Sequence, residues 1–163
     1  MTKPETALLR FFTSLLCLGV VICAPVYAAV GTVSQLAGTL SVRKADGSVR
    51  LLSHSSEIGE GDVIDTQRDS YAQIRFSDGA RITLKPNTSL KIVRFNFAAS
   101  EPQDDAFVYS LLRGGLRVVS GMVGTRGDPD AHRLITSAAV IGVKGADLGR
   151  IDCSGLGSCA GPD

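Results

Sequence analysis

The stretch from Tyr71 to Lys85 alternates apolar and polar residues on both sides of a Ser-Asp-Gly triplet. Alternation with a period of two predicts a β-hairpin that has one buried face and one exposed face. A two-residue turn at Asp78 and Gly79 would mix these faces, whereas a three-residue loop with Gly79 at a positive φ keeps them separate. The three-residue loop predicts these buried pairs: Ala72 with Leu84, Ile74 with Ile82, and Phe76 with Ala80.

The outward face of this hairpin is predicted to be basic, with one aromatic side chain. Arg75 would lie opposite Arg81, a mildly unfavourable pairing of like charges. Such a face suits an acidic protein or a glycan, and an ordinary solvated sheet face is the alternative interpretation. The interaction candidates on it are Tyr71, Gln73, Arg75, Arg81, Thr83 and Lys85.

Short strands and tight turns are indicated along most of the chain. It has 163 residues, of which 18 are glycine and none is tryptophan. This composition and the absence of long helical patterns predict one all-β domain. The 17 basic and 16 acidic residues nearly balance, so no overall field would attract nucleic acid, and we expect no nucleic-acid partner.

A second Asp-Gly pair, Asp46 and Gly47, lies between two further short strands. Here a two-residue type I′ turn satisfies the alternation, because it sets Val42 opposite Leu51. The two Asp-Gly turns of the chain are therefore predicted to differ in kind.

Two regions after the central hairpin carry specific predictions. The apolar positions between Ser89 and Phe97 change parity, which predicts a bulge near Ile92 or a strand that changes sheets there. Farther on, Phe107–Leu112 and Leu116–Val119 are interpreted as two strands joined by a tight glycine connection.

The first segment of the chain has the pattern of an export signal. Lys3 and Arg10 precede an apolar stretch from Phe11 to Cys23, and small residues end at Ala28, where we expect cleavage. An uncleaved segment, which would tether the protein to a membrane as a sensor, is the alternative. Only in that case do we expect a membrane partner. The predicted organisation is a signal peptide at 1–28, a β domain at 29–152 and a short C-terminal tail at 153–163, which is either a natural short form or a truncation.

Export would place the mature domain in an oxidising compartment, where its two cysteines, Cys153 and Cys159, are disulfide candidates. Two free thiols are the alternative. His54 and His132 are interpreted as surface histidines, because neither has a metal-ligand spacing around it. The tripeptide that begins at Arg126 occurs in adhesion ligands, but a turn is the preferred interpretation. No pattern of catalytic residues is present, so we expect neither an enzyme nor a cofactor.

Four motifs in a fixed order carry a resemblance to a known family. They are Gly31-Thr32-Val33 with Gly38-Thr39-Leu40, then Gly61 to Thr66, then Phe76 to Gly79 followed by Leu84, Asn87 and Leu90, and finally Gly114-Gly115-Leu116 followed by Thr136 and Ile141 to Gly145. In this order and spacing the chain resembles the FecR-domain family of bacterial periplasmic proteins, from about Gly31 to Cys153.

The resemblance implies a β-sandwich of jelly-roll type that acts as a non-enzymatic interaction or signalling domain. Where the family has an arginine in its last motif, this chain has Lys144, an interaction candidate that cannot form the same two-pronged contact. Before the apolar segment the chain has only Met1 to Arg10, so it resembles the secreted, single-domain branch. The apolar stretch from Ile141 to Leu148 is expected to be a sheet edge open to strand addition. The structural motif residues implied by the resemblance are Gly61, Asp62, Thr66, Asp78, Gly79, Gly142 and Gly145.

Overall fold

The computed structural model describes residues 28–126, 128, 130–145, 147–155 and 158–160; beyond residue 145, side chains are described only for Ile151 and Cys153. The predicted signal segment before Ala28 lies outside these residues. Ala28 itself is the first described residue and is exposed.

Thirteen strands and one short 3-10 helix make up the described secondary structure. The strands are β1 Ala29–Ala37, β2 Leu40–Arg43, β3 Val49–Leu52, β4 Glu57–Gly59, β5 Val63–Thr66, β6 Tyr71–Phe76, β7 Arg81–Leu84, β8 Ser89–Asn96, β9 Ala106–Val119, β10 His132–Ile135, β11 Val140–Gly142, β12 Asp147–Gly155 and β13 Ser158–Ala160, and the 3-10 helix is Pro102–Asp104. The all-β class is confirmed. Nothing in the described residues forms a helix with the length and apolar character needed to cross a membrane.

The strands form one curled sheet with the order β3-β2-β5-β8-β9-β7-β6-β1-β4, and further pairs extend from β9. All pairings are antiparallel except that of β9 with β10. The concave side of this half-barrel encloses a single apolar core. This curled sheet does not confirm the more specific prediction of a jelly-roll sandwich.

The long strand β9 connects the two halves of the sheet. Its first half pairs with β8, and its second half pairs with β7, where Leu84 lies opposite Leu116. The prediction of two strands with a turn between them was wrong, because the chain only bends at Gly114, which has a φ of +84°. A Cβ at Gly114 would lie 2.6 Å from the Cα of Thr88, so glycine permits the close approach that keeps β9 continuous.

The central hairpin has the predicted register. Ala72 pairs with Leu84 and Ile74 with Ile82, and the Phe76 N–H donates to the Ala80 carbonyl over 2.9 Å. Gly79 has the expected positive φ of +88°. The inward residues of both strands are buried, as the alternation requires.

The prediction for the β2–β3 turn was wrong. Val42 pairs with Arg50 rather than Leu51, since the loop has three residues and the Lys44 N–H donates to the Ser48 carbonyl over 2.9 Å. The register is therefore displaced by one residue, which turns the side chain of Leu51 outward and leaves it 74% exposed. In β8 the predicted bulge is confirmed between Ile92 and Arg94.

A basic sheet face and the residues around it

The exposed side of the central hairpin brings the predicted interaction residues together, and we call Tyr71, Gln73, Arg75, Arg81, Thr83 and Lys85 the basic face. Arg75 and Arg81 are direct cross-strand partners. The next pair toward the turn, Phe76 and Ala80, is hydrogen-bonded. Because hydrogen-bonded and non-hydrogen-bonded pairs alternate in an antiparallel ladder, the two arginines occupy a non-hydrogen-bonded pair. In such pairs the Cα atoms are about 4.5 Å apart, the closer of the two spacings.

Arg75 and Arg81 are both exposed. Within the described part of the chain, neither of them belongs to an ion pair, in contrast to Arg43 with Asp65, Lys44 with Asp62 and Arg126 with Asp105. Two guanidinium groups therefore emerge side by side from the same row of the sheet.

Polar side chains next to the arginine pair are held in place by hydrogen bonds. The Ser34 hydroxyl donates to the Gln73 Oε1 over 3.2 Å, and the Gln73 Nε2 donates to the Thr83 Oγ1 over 3.4 Å. Tyr71 is 38% exposed at the far end of the same strand. The basic face is thus built on paired strands rather than on loops.

Sequence reasoning missed one member of this surface. Arg117 is exposed on β9 and is the cross-strand partner of Thr83, so it extends the basic face by one strand. The alternation of Leu116, Arg117 and Val118 showed that Arg117 points outward. Only the pairing of β9 with β7, which the sequence does not reveal, places it beside the hairpin.

Lys144 lies elsewhere. It follows β11, which pairs only with β10 in the described part of the sheet, and it is exposed. It is therefore not part of the basic face, although it was predicted as an interaction residue alongside it.

The predicted motif residues lie at turns and strand ends. The buried Asp62 carboxylate accepts the Gly59 N–H over 2.8 Å and the Lys44 ammonium over 2.7 Å. The Thr66 hydroxyl donates to the Lys85 carbonyl over 2.6 Å. Positive φ angles occur at Gly61, Gly79 and Gly145, whereas Gly142 lies in β11 without one. Asp62 and Thr66 thus hold the backbone around them, and the motif roles implied by the family resemblance stay a prediction.

Next to Asp62 is a cleft of about 370 Å³ beside the start of β1. Its charged lining includes Lys44, Glu57 and Glu60, but Lys44 is already paired with Asp62. The Glu60 carboxylate accepts the Phe95 N–H over 3.0 Å. Three of the charged groups that line the cleft, Lys44, Asp62 and Glu60, are thus engaged within the protein.

Arg126, the first residue of the adhesion-like tripeptide, is engaged inside the fold. Its guanidinium donates to both Asp105 carboxylate oxygens, over 3.0 and 3.3 Å, and to the carbonyls of Ala98 and Ala99. It also lies 4.9 Å from the centre of the Phe97 ring. Arg126 therefore joins the loop after β9 to the loop before β9, and its guanidinium is engaged within the protein.

The two histidines occupy opposite environments. His54 is exposed, and its Nδ1 lies 2.8 Å from the Ser55 hydroxyl. His132 is fully buried, so its prediction as a surface residue was wrong. The error arose because the polar residues before it belong to a loop, whereas His132 begins β10 and faces the core. No group of three or more potential metal ligands exists among the described side chains.

Cys153 is disulfide-bonded. Its predicted partner, Cys159, lies in β13, which pairs with the strand β12 that contains Cys153. The side chain of Cys159 is outside the described part, so this pairing stays a prediction.

The protein is thus an all-β domain that presents a basic sheet face. The sequence model of the FecR protein family matches residues 62–156. This match covers more than half of the chain, and the protein belongs to the FecR family.

Two further comparisons add little detail. A solved structure titled "Cell surface anchoring domain" is 24% identical to this chain, with a TM-score of 0.37, over 38% of this chain and 82% of that one. No curated protein matches the chain.

Proposed function

We propose that this protein is an exported, non-enzymatic recognition domain of the bacterial envelope, which binds carboxylate groups of an acidic protein or glycan through its basic face. FecR family membership supports an envelope role. The export pattern of residues 1–28 supports a periplasmic or secreted location. The jelly-roll sandwich implied by the family resemblance is part of the same proposal.

The Arg75–Arg81 pair is the observation that carries the proposal. Like charges directly opposite each other destabilise a sheet by a few tenths of a kcal/mol or more. A carboxylate bound between the two guanidinium groups would remove this repulsion and accept hydrogen bonds from both. The unliganded protein thus contains an unfavourable pairing of like charges, which an anionic partner would convert into a favourable arrangement.

The strands and hydrogen bonds around the Arg75–Arg81 pair favour a recognition site over a merely solvated surface. β6 and β7 are each paired on both sides, with β1 and β9 as their outer neighbours. The side chain of Gln73 is fixed by Ser34 and Thr83 in the adjacent row. A ligand at the arginine pair would therefore meet Gln73 and Thr83 in positions that are set before binding, which limits the entropy lost by these two side chains.

Binding can be tested with two probes, a polyglutamate peptide and polygalacturonate, which present carboxylates on a protein and on a glycan. The double variant Arg75→Gln/Arg81→Gln is compared with the charge-matched control Arg94→Gln/Arg133→Gln, whose arginines are exposed on other strands. Loss of charge-assisted hydrogen bonds worth about 1.5–3 kcal/mol predicts roughly 10- to 100-fold weaker binding for the first variant only.

The result also distinguishes the two sources of the carboxylate, since the preferred probe identifies the class of partner. Equal weakening by both double variants would mean that only net charge matters, and the proposed site would be wrong. The export step has its own test, N-terminal sequencing of the protein recovered from cells. A start at Ala29 supports cleavage, whereas an intact N-terminus supports the membrane-tethered sensor.

A further inference from the structure

His132 is buried in an aromatic environment where its ring nitrogens form no described hydrogen bonds. Its ring is 0% exposed and stacks on Phe107, with ring centres 4.9 Å apart and planes 13° from parallel. Tyr109 lies on a second side, 5.5 Å away between ring centres. Neither ring nitrogen has a hydrogen-bond partner among the described residues. A neutral imidazole has one donor and one acceptor, so both are unsatisfied here.

The loop that follows β9 closes directly over this ring. A Cβ placed on Gly124 would lie 2.7 Å from the His132 Nδ1 and 3.0 Å from the Ser120 Oγ. The hydroxyls of Ser120 and Tyr109 are also buried without a described partner. Because the loop backbone approaches the imidazole so closely, the ring cannot take up a hydrated counter-ion while the loop is in place.

The ionisable groups on the elements around His132 are engaged elsewhere or point outward. On β9, burial raises the pKa of Tyr109, which stays protonated. Asp78, in the turn below, accepts the N–H groups of Ala80 and Val123. The Asp105 carboxylate, buried before β9, binds Arg126.

On the strand of His132 itself, Arg133 is exposed, as are Asp128 and Asp130 in the preceding loop and Lys144 after β11. The ring nitrogens therefore contact none of the charged groups in the described surroundings.

We propose that His132 is an acid-sensitive latch, whose protonation releases β10, β11 and the covering loop from the edge of β9 while the rest of the sheet stays folded. An imidazolium in this position would be a buried charge without a partner, which is costly enough to displace the strand that carries it. This inference does not depend on the proposed recognition function.

The position of β10 and β11 explains why the opening would be local. β10 pairs with only four residues of β9, from Phe107 to Ser110, and β11 pairs with β10 alone in the described sheet. Val140, on this edge strand, is 62% exposed. β10 also carries the buried Leu134, so opening exposes part of the core, but it breaks only the ladder between β9 and β10 and leaves the other pairings of β9 intact. Release would free the backbone groups on one edge of β9, a site for a partner's strand.

The sign of the pH dependence follows from burial, which lowers the pKa of His132 from its ordinary 6.5 to about 4. The closed form is therefore fully favoured above about pH 6.5 and loses stability as the pH falls toward 4. Lowering the pH from above 6.5 to below 4 should shift the equilibrium toward the open form on the order of 100-fold. Asp78 acts in the opposite direction, because burial raises its pKa and acid favours its buried, protonated form.

Hydrogen exchange at about pH 7 and about pH 4.5, corrected for intrinsic rates, tests the latch in the purified full chain. The variant His132→Phe keeps an aromatic ring but cannot be protonated, and His54→Phe is the control at the exposed histidine. In wild type and the control we expect amides in 132–143 to lose at least tenfold protection at the lower pH, while residues 71–85 keep theirs. His132→Phe should keep protection in both segments.

Three results would contradict the latch. Residues 132–143 of the wild type could keep their protection at the lower pH, His132→Phe could lose as much protection as the wild type, or protection could be lost across the whole sheet at once. If His132→Phe does not fold, NMR titration of the wild-type imidazole decides the matter. A midpoint well below the ordinary 6.5, coupled to exchange broadening of β10 amides, supports the latch. A midpoint near the ordinary value with unchanged amide signals refutes it.

Discussion

The turn between β2 and β3 and the turn between β6 and β7 have the same backbone conformation in opposite surroundings. In each, the carboxylate of the central aspartate accepts the N–H two residues ahead: Asp46 from Ser48 over 2.8 Å, and Asp78 from Ala80 over 3.0 Å. The glycine that follows has a φ of +83° in one turn and +88° in the other. Local sequence chemistry, an Asp before a Gly, is sufficient to produce this loop.

The two turns differ in how deeply their aspartate side chains are buried. Asp46 is exposed, whereas Asp78 is only 2% exposed. The Asp78 side chain reaches the Val123 N–H over 3.4 Å, and its backbone carbonyl accepts the Met122 N–H over 2.9 Å. One turn thus closes a peripheral hairpin, and the other also fastens the loop after β9 to the core.

Replacing each aspartate by alanine should give the largest difference between the turns. Asp78→Ala leaves the buried N–H groups of Ala80 and Val123 without their acceptor, at about 1–3 kcal/mol each, so we expect a loss of roughly 3 kcal/mol in the free energy of unfolding. Asp46→Ala should lower the urea midpoint much less than Asp78→Ala does, because water replaces the exposed carboxylate at the Ser48 N–H. Similar midpoints for the two variants would show that the burial of Asp78 has no energetic importance.

The same two turns show what the sequence can and cannot predict. The alternation around Asp78 selected the correct three-residue loop, because six inward residues all had to be apolar. Around Asp46 the strands are too short and too exposed for that test, and alternation favoured a register that buried Leu51. The backbone preference of the Asp-Gly turn prevailed there, and Leu51 remained in solvent.

Predictions that depended on distant contacts were less successful. The outward residues of the basic face followed from periodicity, but Arg117 could join them only once β9 was known to pair with β7. The burial of His132 also arises from packing between strands far apart in sequence, against Phe107 and beneath Gly124. The loop-like composition of the residues before His132 did not indicate that this side chain would be buried.

Glycine substitutions should show that the backbones of the two turns are equivalent. A Cβ at Gly47 or at Gly79 would meet no atom within 4 Å, so only the left-handed backbone resists it. We expect Gly47→Ala and Gly79→Ala to lower the free energy of unfolding by the same amount, about 1–2 kcal/mol. Urea titration of both variants checks this. A clearly larger loss at Gly79 would indicate that the buried turn is strained in a way that the exposed one is not.

The smallest expected effect is on the carboxyl groups themselves, and NMR titration of the two side-chain carboxyl carbons measures it. Hydrogen bonds from the Ser48 side chain and backbone lower the pKa of Asp46 below its ordinary 3.8, whereas burial raises the pKa of Asp78 above it. Asp46 therefore stabilises the fold above the ordinary value and loses that contribution as the pH falls through its lowered pKa. Asp78 has the reverse sign, since its folded form favours the proton and becomes less stable as the pH rises through its raised pKa. If the two carboxyls titrated together, the different surroundings of these matched turns would have no electrostatic consequence.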